Sequence, residues 1–332
     1  MSSKTSDIDE RQQKREVITR AIRAQIISCV LILNAVSACD RSQNQQVADT
    51  TLNGKPLLVT DSLRPAIGTG WESAAGAFLI LPTVDGGHDA GSLLRPDAND
   101  STVGDTTGLR AKLGTDRVEL FSRGGLVGEA QIAIERGVAV DSGCTAWPVA
   151  RLSAQTGAAP RSWTASFVKG HITALALDSI EGLGPRDSAD LAANISRLAS
   201  GLSDDTVGTF RGLRFVVLRA YRAKVAEKSF VVTTLVRRLN QEDSPIEERL
   251  VMVIDGDQRA PTTWTVGWHE RASGREDELV VSEPLLAFQL ANGRTHLLFG
   301  RDDGEALSAA VLVRGDKGWR VLWESALAGC DH

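Results

Sequence analysis

Three patterns in this chain have residue types and spacings suited to chemistry: "SFVK" at Ser166–Lys169, an aspartate-rich stretch over 84–108, and Trp-x-Val-x-Trp, which occurs twice. A serine and a lysine three residues apart meet on one face of a helix, where the amine helps activate the hydroxyl. Here the stretch reads as a strand running into a Lys-Gly turn, which keeps the two side chains apart. The aspartate-rich stretch carries Asp85, His88, Asp89, Asp97, Asp100 and Asp105, and clustered carboxylates suit Ca²⁺. Counted as an EF-hand from Asp97, it has Thr102 where glycine is required and Gly108 where the bidentate glutamate belongs. We therefore expect an exposed, solvated loop. With no HExxH, GxSxG, phosphate-binding glycine loop or zinc-spaced Cys/His cluster, the sequence assigns no catalytic residue, metal ligand or cofactor.

Alternate residues of a strand share a face. Trp264, Val266 and Trp268 are thus expected on one face, and Trp319, Val321 and Trp323 on another. Their strand neighbours Thr265, His269, Arg320 and Glu324 are polar or small, so the indoles read as core packing; a glycan-stacking face on Trp264, Trp268, Trp319 and Trp323 is the alternative. Arg214, Arg219, Arg222, Lys224, Arg237, Arg238 and Arg249 make the strands over 211–249 basic. Arg237 and Arg238 are adjacent and face opposite ways, which favours a solvated sheet face over a single anion-binding stripe.

The elements that position these residues are mostly strands. From residue 54, "KPLLVT", "GAFLILP", "RVELFSR" and "GGLVGEAQIAIE" alternate with Gly-rich turns. The small, polar "SAQTGAAPRS" at 153–162 marks a domain boundary, and "WTASFVKGHITALALDSI" reads as a hairpin. One helix is expected at about 187–201: Asp187 as N-cap, Leu191, Ile195 and Leu198 on one face, Gly201 at the end. The remainder reads as two four-stranded meanders, each ending in a Trp-x-Val-x-Trp strand. The expected fold is mainly β: two strand-rich domains, 54–162 and 163–332, with antiparallel meanders and one short amphipathic helix in the second.

The chain has 332 residues, 42% of them hydrophobic and 24% charged, within the globular range. Upstream of the strands, 24–38 form the apolar run "AQIISCVLILNAVSA", too short for a comfortable membrane span, after Arg20 and Arg23 and before Cys39-Asp40. A basic segment, a short apolar core and small residues before a cut site mark an export signal. Val36-Ser37-Ala38-Cys39 resembles the lipobox of bacterial lipoproteins. The resemblance covers the leader alone. It implies removal of 1–38 and acylation of the Cys39 thiol, and Asp40 resembles an inner-membrane retention signal. The segment before the run is long and carries Asp7, Asp9, Glu10 and Glu16, so a translation start near Val17 would give a more compact leader.

Cleavage would take six basic residues from 37 and four acidic ones from 42, leaving 31 against 38. An acidic exported body argues against a nucleic-acid partner, which demands concentrated basic surface. Residues 39–53 are polar and aperiodic, as a flexible tether would be. Of the four cysteines, Cys29 lies in the leader and Cys39 is the lipid site; Cys144 and Cys330 are expected to pair, since exported compartments permit disulfides.

These features point to a periplasmic, membrane-anchored lipoprotein acting as a non-catalytic binding or assembly module. Its partners would be the bilayer, through acylated Cys39, and an envelope protein or glycan. A cell-envelope hydrolase and a Trp-based glycan binder are the alternatives.

Overall fold

The computed structural model describes residues 64–82, 88–106, 113, 117–135, 145–154, 162–202, 208–239, 245–257, 260–276, 279, 282–302 and 306–329. The leader, the tether with Cys39 and Asp40, the strand expected at 55–60, and both Cys144 and Cys330 lie outside them. The chain divides into Met1–Asn53 and one compact unit, Gly54–His332. The described part is mainly β, built from antiparallel sheets with one α-helix among the described residues.

Six short strands form a closed barrel: β1 (Leu79–Pro82), β2 (Ala90–Leu94), β3 (Arg117–Ser122), β4 (Gly125–Glu135), β5 (Val149–Ala154) and β6 (Ala165–Val168), in the order β1-β2-β5-β4-β3-β6. Strand alternation sends Ile80, Leu93, Val118, Leu120, Ile132 and Leu152 into one core with Trp163. It sends Leu79, Leu81, Leu94, Phe121 and Phe167 to a second core outside the barrel. A strand buried on both faces reads as a continuous apolar run, which is why "LILP" shows no alternation.

Two expectations change here. The stretch 84–108 is not simply an exposed loop, because its "AGSLL" supplies β2, with all five residues buried. Gly91 belongs there by necessity: a Cβ would sit 2.5 Å from the Leu81 carbonyl oxygen and 2.8 Å from the Trp163 ring. Nor do residues 163–180 form a hairpin. β6 pairs with β1 and β3 in the barrel, whereas β7 (Thr173–Leu175) pairs with a strand more than a hundred residues later. The expected boundary at 162/163 thus falls just before a barrel strand, and the core outside the barrel joins residues from Ala75 to Ala328.

The two meanders are present. β9 (Val216–Val225), β10 (Lys228–Leu239), β11 (Ile246–Asp257) and β12 (Ala260–Arg275) form the first, extended by the two-residue β8 (Asp178–Ser179). β13 (Glu283–Gln289), β14 (Thr295–Asp302), β15 (Leu307–Gly315) and β16 (Gly318–Glu324) form the second, extended by β7. They pack face to face: Phe230, Val232, Val251, Val253 and Trp268 of the first meet Leu297, Phe299, Leu312, Trp319 and Val321 of the second. The other face of the second meander closes against the barrel exterior through Phe288, Leu298 and Trp323.

The tryptophan pairs do not share faces. A bulge lies in each Trp-x-Val-x-Trp strand, where Val253 pairs with Trp268 but Ile254 pairs with Val266, and Val311 pairs with Trp323 but Leu312 pairs with Val321. A bulge inserts one residue and reverses alternation beyond it. Trp268 therefore faces the second meander while Trp264 faces the opposite side, and Trp319 and Trp323 enter different cores.

The helix α1 (Pro185–Ser200) lies on the outer face of the first meander. Gly184, not Asp187, is its N-cap, because Pro185 occupies the first turn, where its fixed φ suits a helix start. Asp187 sits in that first turn, favourably placed against the helix dipole. Leu191, Ile195 and Ala199 are buried on Val231, Leu235, Leu250, Met252 and Ile254, and Gly201 closes the helix.

Candidate binding site beside the helix

A helix is about 10 Å across, whereas five strands at about 4.8 Å spacing span roughly twice that. α1 therefore roofs only part of the sheet beneath it, and a groove opens on each side.

The larger groove has a volume of about 840 Å³. One wall is a small-residue stripe of α1, Ala192, Ala193, Ser196 and Ser200, and the other is the segment from Gly212 to Val217 entering β9. Small residues keep the groove open where leucines would have filled it. It opens to solvent at Val216, which is 61% exposed; Leu218, two residues on in β9, is 49% exposed. Here β9 is also an open edge, since among the described residues β8 pairs only with Tyr221 and Arg222, leaving the outer side of 216–220 without a strand.

The groove carries charge of one sign. Arg197, Arg214 and Arg237 line it, and among the described residues no carboxylate does. Arg197 donates to Asn194 Oδ1 at 3.0 Å, and neither Arg211 nor Arg214 has an ion-pair partner among the described residues.

Arg237 belongs to a buried cluster that stiffens this end of the sheet. It is 5% exposed, ion-paired with Glu248, and donates to the Phe210 carbonyl oxygen at 3.0 Å. Its guanidinium lies 4.8 Å from the Phe215 ring centre and 5.4 Å from that of Phe210, and Arg271 Nη1 reaches Glu248 Oε1 at 3.0 Å. On the opposite face, Arg238 and Arg249 converge on Glu247, and Arg238 also reaches Glu276. The expectation of a solvated basic face is therefore corrected at Arg237, which is buried, while Arg238 is exposed and ion-paired. Antiparallel pairing sets them opposite Glu248 and Glu247, and sequence reading overlooked this "RR" against "EE" hairpin.

The smaller groove, about 620 Å³, lies along the N-terminal half of α1 and is lined by Trp264, Arg222, Asp187, Asp190 and Asn194 among others. Trp264 is half-buried. Its ring lies over Gly256, where a Cβ would come within 2.5 Å of it.

Other residues singled out in the sequence lie elsewhere. Trp268, Trp319 and Trp323 are buried; Trp319 Nε1 donates to Asp255 at 3.3 Å and Trp323 Nε1 to the Pro96 carbonyl oxygen at 2.9 Å. Ser166 is buried in β6 while Lys169, past its end, pairs with Glu129 at 2.5 Å. Among the described residues no three His, Cys, Asp or Glu side chains gather as a metal site would require. His296 is buried against Phe288, with Nδ1 3.0 Å from the Arg294 carbonyl oxygen and Nε2 3.6 Å from Glu72. Burial holds its imidazole below the ordinary value, with Glu72 opposing. Residues 211–219, "RGLRFVVLR", carry the clearest sequence signal for the larger groove: apolar side chains interleaved with arginines where a covered strand would be uniformly apolar.

No family model, curated protein or solved structure matches the chain, so the site is read from its own geometry.

Proposed function

We propose that the protein is a cell-envelope lipoprotein, anchored to the periplasmic face of a membrane through acylated Cys39, whose body is a non-catalytic binding or assembly module. Its contact surface is the larger groove beside α1. The observation that carries this reading is a groove of about 840 Å³ that, among the described residues, is lined by no histidine, cysteine or carboxylate and includes Val216, which is exposed, with exposed Leu218 following in β9. An apolar solvent-facing patch beside a concavity marks an interaction site, and among the described residues a serine lining it has no base beside it to activate it. A Cys144–Cys330 disulfide belongs to the same proposal. In its support, Thr145 N–H donates to the Gly329 carbonyl oxygen at 2.9 Å, bringing together the neighbours of both cysteines.

A second reading attaches to Trp264 alone. Its position beside Asp187, Asp190 and Asn194 combines an aromatic surface with polar groups that suit a sugar ring. Quenching of tryptophan emission by peptidoglycan fragments, lost in Trp264→Phe, would establish it.

The leading reading is tested by placing a photocrosslinking residue at Val216 or, as control, at exposed Leu126 on the barrel, in a bacterial host. We expect a discrete adduct from Val216 that is absent from Leu126 and abolished by Ala193→Glu. Equal adducts at both positions, or none at Val216, would overturn it. Intact mass from membranes, with a Cys39→Ala control, tests the anchor separately: acyl mass on Cys39 is expected, and retention of 1–38 without lipid contradicts it.

A further inference from the structure

We infer that the partner of the larger groove is an extended acidic segment of another protein, which adds as a strand to the open edge of β9. This rests on the groove being the contact surface. Three observations converge on it. First, the outer side of 216–220 offers strand backbone that β8 does not reach, and an edge left open is a template for strand pairing. Second, exposed Val216 lines the groove across from the alanine and serine wall of α1, and exposed Leu218 follows it in β9. In strand addition the backbone bonds supply affinity, and pockets for alternate side chains supply selectivity.

Third, the charge is one-sided. Among the described residues Arg197 and Arg214 line the groove without a carboxylate, and Arg211 stands next to it in sequence, although the chain as a whole has a formal charge of −5. A basic patch kept on an acidic protein selects an acidic partner. Arginine forks match carboxylates in two-bond geometry. An anionic bilayer would also answer the charge, but it has no use for open strand backbone or a concave trough. Side chains on the α1-facing side of the added strand would enter the groove, where acidic ones meet Arg197 and Arg214.

The test uses the folded protein and an array of hexapeptides in which apolar residues alternate with Glu, Lys or Ser. The Glu series should bind best, weaken as salt rises, and lose about tenfold or more in affinity to Arg214→Glu. It should slow hydrogen exchange at 216–220, and N-methylation of alternate peptide backbone nitrogens should abolish binding. Arg211→Glu, on the exposed rim, gives a second charge reversal free of folding effects. Indifference to peptide charge, preference for Lys, tolerance of N-methylation or binding to none of the series would each overturn the inference. So would binding of phosphatidylglycerol vesicles through Arg214 without binding of peptides. A groove-specific crosslink from Val216 combined with no peptide binding would leave the groove assignment standing and remove only the strand-addition partner.

Discussion

The two meanders follow one plan, four antiparallel strands ending in a bulged tryptophan strand, yet their outer faces meet opposite fates. The second is sealed by the barrel, which buries Phe288, Leu298 and Trp323. Among the described residues the first is roofed mainly by α1, a 16-residue helix, with open grooves beside it. The inner faces of both close on each other. A sheet face has to be covered to be stable, and how completely it is covered decides whether it acts as core or as contact surface. The sealed face carries large aromatics; the half-roofed one carries small helix residues, exposed valine and leucine, and arginines held by a buried carboxylate.

Perturbations of the two faces should therefore differ in kind. The largest effect is expected on the sealed side. Trp323 is fully buried, lies edge-on to Trp71 at 4.8 Å and donates to Pro96, so Trp323→Ala should lower unfolding stability by about 3–5 kcal/mol, read from urea denaturation. Under the open face, Glu248→Ala should cost a comparable ~3–5 kcal/mol by stranding Arg237 and Arg271. Replacing all three together with Leu or Met should recover most of that, because a well-packed apolar substitute removes the stranded charge.

If Cys144 and Cys330 pair, Cys144→Ser should cost about 2–4 kcal/mol under oxidising conditions and nothing in reductant; equal stability of both forms in both conditions would remove the disulfide. A smaller, pH-dependent loss is expected from His296. Its folded-state value is lowered from 6.5, so the unfolded chain takes up the proton more readily. Stability should be full above about 6.5 and fall as pH drops from there toward the lowered value, with His296→Phe flattening that part of the profile. Smallest in stability, and most telling for the comparison, are groove substitutions. Ser196→Glu should change stability by no more than about 0.5 kcal/mol while removing the Val216 crosslink.

The strand pattern, both meanders and the helix face of Leu191 and Ile195 were legible because burial on one side leaves a periodic trace. Where burial is two-sided or tertiary, the trace fades. "AGSLL" was read as exposed loop because a five-residue strand with three small members has little pattern of its own. The tryptophan faces were misassigned because one inserted residue in each strand reverses alternation, and nothing in Trp-x-Val-x-Trp marks the insertion. The Arg237–Glu248 pair needed a register, which follows from the hairpin between β10 and β11. The groove was half-legible: arginines interleaved with apolar residues were visible, but only the fold brings Ala193 and Ser196 across from them.

The most direct test of the central claim is a side-chain footprint of the protein in its membrane environment against the purified protein. Our account requires protection concentrated at Leu213, Val216 and Leu218, with Leu126 and Val127 on the barrel unchanged. Protection of the barrel hairpin with the helix-side groove left as reactive as in the purified protein would contradict it.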